Sequence, residues 1–163
     1  MRNLLRRIFS GIVYILIFVS SILFSQESYI VLITIFGFLA IWEFSKMIKT
    51  KNYAAYVFFP FVLFLMIKRQ ESFIVTGILA ITILSSLSLI YQLFTEKAVK
   101  FTNDRFKLGT TIRYIIFSMC FLILLPFHNN SFHPYLMISI LCIIWVNDSF
   151  AFLIGKNFGK NLN

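Results

Sequence analysis

FIVTGILAITILSSLSLIYQLF, Phe73 to Phe94, carries no charged side chain from end to end. At about 1.5 Å rise per residue a helix of that length spans on the order of 33 Å, enough to cross the roughly 30 Å hydrocarbon core of a bilayer. Five further apolar runs flank it: Ile8 to Phe24, Tyr29 to Trp42, Tyr53 to Ile67, Ile112 to Phe127 and Tyr135 to Ile154. Each reads as a transmembrane helix. Tyr29 to Trp42 reaches spanning length only if Glu43, Phe44 and the stem of Lys46 lie at the interface, and Tyr53 to Ile67 is interrupted by Pro60. Those two runs could instead form a tilted or re-entrant hairpin.

Composition agrees with the runs. The 163 residues are 60% hydrophobic and 13% charged, with 21 Phe and a mean hydropathy of +0.88. A soluble domain is roughly 45–50% apolar and about 25% charged. The expected fold is therefore all-α, a polytopic bundle of about six transmembrane helices forming a single membrane domain over residues 1–163. The polar stretch Thr95 to Thr111 is too short to fold alone.

The net charge of +9 does not mark a nucleic-acid binder, because the basic residues fall in short clusters between apolar runs. With the N-terminus in the cytoplasm, that side receives Arg2, Arg6 and Arg7; Lys46, Lys49 and Lys51; Lys97, Lys100, Arg105, Lys107 and Arg113; and Lys156 and Lys160. These are 13 of the 15 Lys and Arg, leaving Lys68 and Arg69 outside. Such asymmetry predicts six spans with both termini cytoplasmic. A signal peptide is disfavoured: the first apolar run exceeds a usual h-region and no clear cleavage site follows.

Cys120 and Cys142 lie in apolar runs without C-x-x-C spacing, and His128 and His133 lie in a polar loop beside Pro134, so small buried hydrophobes and loop residues are preferred to a metal site. Ser85, Ser86 and Ser88 could line a polar path, although small hydroxyl residues more often permit close helix packing.

Chemistry concentrates in the last run. Asn147 and Asp148 interrupt it after Trp145, and a carboxylate at bilayer depth costs roughly 2.5–3.5 kcal/mol on insertion scales. Asp148 is thus either a site residue or a structural partner for a Lys or Arg on a neighbouring helix. Downstream, Gly155-Lys156-Asn157-Phe158-Gly159-Lys160 pairs glycines with lysines. Glycines let backbone N–H groups approach an anion and lysines supply charge, which suits phosphate. A helix stop with basic anchors would look the same. A dimerising G-x-x-x-G face is less favoured, because Lys156 and Asn157 lie between the glycines.

Taken together, Asp148, Ala151, Phe152, Gly155, Lys156, Phe158, Gly159 and Lys160 resemble the D-x-x-A-[YF]-x-x-G-[RK]-x-[FL]-G-[KR] segment of the phosphatidate cytidylyltransferase (CDP-diacylglycerol synthase) family. Weaker similarity reaches upstream, to the basic start Arg2 to Gly11 and to Ala40 to Lys46 with its Glu43. The specific part is the last two dozen residues.

The resemblance implies a CTP-dependent lipid nucleotidyltransferase of phospholipid biosynthesis, joining CTP to phosphatidate to give CDP-diacylglycerol and pyrophosphate with magnesium. It implies a bacterial-type inner-membrane location. Asp148 would be the catalytic residue, in a polar cavity near metal or nucleotide. Asn147, Lys156 and Lys160 would bind substrate phosphate or CTP, and Gly155 and Gly159 would shape a turn around it. The expected partners are CTP, phosphatidate and membrane lipid, with a homodimer also considered. Family members continue into a Ser-Pro-Lys-Lys-Thr-like loop and a C-terminal signature whose Asp residues bind metal, so the metal ligands are expected beyond Asn163 and the chain alone is expected to be incomplete and inactive.

Two other classes compete. A small transporter or channel subunit would use Asp148 as an intramembrane ion or proton site, but only one run carries a buried charge and no inverted repeat is visible. A non-catalytic membrane scaffold would use Asp148 only for packing.

Overall fold

A computed structural model describes residues 2–51, 53–68, 72–95, 103–129 and 131–158. The elements are α1 (Arg2–Phe24), α2 (Gln26–Met47), α3 (Tyr53–Lys68), α4 (Phe73–Phe94), α5 (Asp104–Thr110), a π-helical segment (Thr111–Ile116), α6 (Phe117–Leu124), a two-stranded ribbon of β1 (Phe127–His128) and β2 (Ser131–Phe132), and α7 (Pro134–Phe158). The fold is all-α and of membrane type, as expected.

The count of six spans is corrected to four. Helices long and apolar enough to cross a membrane are Gln26–Met47, Phe73–Gln92, Asp104–Leu124 and Pro134–Phe152. The apolar helices Gly11–Phe24 and Tyr53–Lys68 are shorter, about 21 and 24 Å against a core of roughly 30 Å. The second run gains length by continuing through Glu43 and Lys46 to Met47, with Lys46 Nζ lying 5.5 Å over the Trp42 ring.

The chain divides into two compact units, Glu27–Leu125 and the pair of segments Met1–Gln26 with Pro126–Asn163. Within Glu27–Leu125 the apolar face of α2 repeats every four residues, burying Tyr29, Ile33, Gly37, Ile41 and Ser45. Gly37 is required there by space, because a Cβ at that position would overlap the fully buried ring of Phe59 on α3. Phe38 meets the same ring edge-on, with centroids 5.3 Å apart. The α3 helix packs on the π segment and α6, as does α4. Pro60 stays inside α3, which continues past it to Lys68.

Where α2 ends, Thr50 N–H reaches back to Ser45 O (2.9 Å) and Lys49 N–H to Lys46 O (3.2 Å), with Lys49 at φ 51°. This is a Schellman stop, with lysine in the left-handed position that glycine usually takes.

The polar segment before the fifth run is also corrected. Helix begins at Asp104, because the Asn103 side chain accepts from Arg105 N–H and caps it. The helix then loosens. Thr110 and Thr111 hydroxyls donate to Phe106 O and Lys107 O (3.0 and 2.9 Å), competing with the backbone for those carbonyls, and a π-helical turn follows. Beginning the helix at Asp104 moves Arg113 from a cytoplasmic flank to the tenth of 21 positions in Asp104–Leu124.

In the other unit α1 packs on α7. The presumed loop around His128 and His133 is an antiparallel ribbon pairing Phe127 with Phe132 and His128 with Ser131. Asn129, at φ 49°, takes the left-handed turn position that asparagine tolerates. His133 N–H to Pro126 O (2.7 Å) closes the base, and Pro134 opens α7 where no N–H is needed.

Candidate functional site

Of the residues singled out as a site in the sequence, Asn147, Asp148, Gly155 and Lys156 lie on α7. Its serine hydroxyls are satisfied within the helix, Ser139 donating to Tyr135 O (2.8 Å) and Ser149 to Trp145 O (2.7 Å). They therefore neither break the helix nor serve Asp148. At 100° per residue, Asp148, Phe152 and Gly155 share one face, with Gly155 about 10 Å further along the axis. Asn147 lies about a quarter-turn to one side.

Asp148 is exposed and makes no hydrogen bond or ion pair with a described residue. Its helix is largely uncovered: 6% of Pro134–Phe152 is buried, and Ile143, Phe150 and Phe152 are all more than half exposed. The structural alternative, a carboxylate paired to a cation on a neighbouring helix, has no such cation among the described residues. What the arrangement offers is an accessible carboxylate set in an apolar helix surface.

Gly155 does not shape a turn. It lies within α7, which continues to Phe158, and it has open space where a Cβ would stand. The backbone of Lys156 continues the same helix, two turns beyond Asp148. Gly159 and Lys160 lie outside the described residues. Asn147, Asp148, Gly155 and Lys156 are thus placed in order along one helix, over about 14 Å.

Magnesium does not fit the described residues. No three His, Cys, Asp or Glu side chains among them gather as a ligand set, and Asp148 is the sole carboxylate of α7. Cys120 is buried and Cys142 exposed, both as free thiols within helices. No step through a metal follows from this geometry.

One polar feature was missed from the sequence. Arg113 lines a cavity together with Ser85 and Ser88, serines otherwise assigned to packing. The signal lay in Asn103-Asp104, a capping pair that starts the helix early and so draws Arg113 into it.

The sequence model of the cytidylyltransferase family matches residues 5–163, and the chain belongs to that family. The match bears out the resemblance carried by the Asp148 to Lys160 string. Membership makes the protein a nucleotidyltransferase and implies a nucleoside triphosphate as substrate. No curated protein and no solved structure matches the chain.

Proposed function

We propose that the chain serves as a phosphatidate cytidylyltransferase, joining CTP to phosphatidate to form CDP-diacylglycerol. The observation that carries this reading is the combination of cytidylyltransferase membership with four helices fit to cross a membrane. A nucleotidyltransferase embedded in a bilayer has lipid-borne phosphates within reach, and phospholipids are the commonest carriers of them.

In this reaction an oxygen of the lipid phosphate attacks the α-phosphorus of CTP. The bond from that phosphorus to the bridging oxygen breaks, and pyrophosphate leaves with the electron pair. Two polyanions must meet, so the chain's task is to position them and offset their charge. Lys156 and Lys160 would attract phosphate, Asn147 would hydrogen-bond it, and Gly155 would leave the helix surface open beside them. Asp148 would orient the nucleotide end from the same helix. Magnesium dependence belongs to the proposal, with ligands supplied from sequence beyond the described residues. The clustering of Lys and Arg supports a bacterial-type inner-membrane location with both termini cytoplasmic: with four spans, Arg2, Arg6, Arg7, Lys97, Lys100, Arg105, Lys107, Lys156 and Lys160 fall on or at the edge of that face, 9 of 15.

The test is CTP-dependent conversion of labelled phosphatidate to CDP-diacylglycerol in membranes expressing the chain, alone and joined to whatever its reading frame encodes after Asn163. Product in either form supports the reading. Absence from both, with the protein inserted and folded, contradicts it.

A further inference from the structure

A second polar site lies far from α7 in the sequence, in the unit Glu27–Leu125. A cavity of about 360 Å³ runs between α4 and the α5–π segment, and its polar lining is Ser85, Ser88, Gln92, Thr110, Arg113 and Tyr114. Arg113 is half-buried and has no hydrogen bond or ion pair with a described residue. Asp104, the carboxylate of its own helix, is taken by Lys107 at 3.5 Å. Arg113 stands some 14 Å along a membrane-type helix, and a guanidinium there with no partner among the described residues is costly unless it reaches back toward the helix start or an anion meets it.

The surroundings fit such an anion. The Arg113 guanidinium lies back over Gly109, toward the Asp104 end, where an ideal Cβ would stand 3.6 Å from Nη2. Its neighbours include donors that are not otherwise used: the Ser85 and Tyr114 hydroxyls have no hydrogen-bond partner among the described residues, while Gln92 makes only a long 3.4 Å contact to Ser88 Oγ. Thr110 is already committed to Phe106 O.

The lining is also graded along α4. Ile81 and Leu84, both about half exposed or more, make the apolar end, and Ser85, Ser88 and Gln92 make the polar end nearer the helix terminus. A free anion has no use for the apolar end, whereas a lipid places its phosphate at one and its acyl chain along the other.

We propose that this groove seats the phosphate of an anionic phospholipid, with Arg113 as its charge partner. The groove is built from residues other than those of α7, and the proposal stands whether or not those residues perform nucleotidyl transfer.

The test is native mass spectrometry of the full chain released from mixed phosphatidylcholine and phosphatidylglycerol nanodiscs. Phosphatidylglycerol is expected to be retained over phosphatidylcholine, with the preference falling about tenfold in Arg113→Gln and largely restored in Arg113→Lys, as loss and return of a charge-assisted contact require. Ser85→Leu, a change suited to a lipid-facing helix, should also weaken retention and serves if Arg113→Gln does not fold. Equal retention of the two lipids by the unaltered chain, or a preference unmoved in both folded variants, overturns the proposal. Displacement of phosphatidylglycerol by inorganic phosphate overturns it too, by assigning the groove to a free anion.

Discussion

The Tyr29 hydroxyl donates a 2.5 Å hydrogen bond to the Leu122 carbonyl, across 93 positions of sequence. In an uninterrupted helix Leu122 O would accept from residue 126, but that residue is Pro126 and has no N–H. The tyrosine from the start of α2 thus satisfies a carbonyl orphaned at the end of α6. Removing the hydroxyl leaves that carbonyl without this donor in an apolar setting, so Tyr29→Phe is predicted to destabilise the chain by about 1–3 kcal/mol. Thermal unfolding in detergent checks this, and an unchanged midpoint would show that the bond is dispensable.

Gly37 and Phe59 make the tightest approach of α2 to α3. Gly37→Ala forces the buried Phe59 ring to move and is predicted to cost about 1–3 kcal/mol by overpacking. Adding Phe59→Leu should recover part of that loss, because the two changes share one contact. Additive losses in the double-mutant cycle would count against the contact.

At the α2 stop the prediction has the opposite sign. Lys49 holds a positive φ without glycine's freedom, so Lys49→Gly should stabilise by about 1 kcal/mol. The same unfolding measurement decides it, and a loss of stability would mean the lysine side chain contributes more than the strain it bears.

Much of the fold was legible because hydrocarbon imposes a simple rule. Phe73 to Phe94 appears as α4 with the same ends, since an uncharged run has little choice but to form a helix. Arg113 was misplaced for a related reason: as the second residue of the run Ile112 to Phe127 it was counted with the cytoplasmic charges, whereas the Asn103 cap and the residues Phe106 and Leu108 start the helix earlier and carry it through Arg113. The π turn has no periodic signature; back-bonding by Thr110 and Thr111 marks where it begins. The ribbon at Phe127 to Phe132 is too short for alternation to show. Asp148 stood out as a lone carboxylate in an apolar run, but glycine spacing misled at Gly155, because such spacing suits a helix surface as well as a turn.

The measurement closest to the central claim compares CDP-diacylglycerol formation by the active form of the chain with that of its Asp148→Asn variant, at matched membrane insertion. The account predicts CTP-dependent product from the parent and a loss of about a hundredfold or more in the variant, as expected when a positioned charge is removed from a phosphoryl-transfer site. Equal rates in the two would contradict the role given to Asp148, and no product from either would contradict the reaction itself.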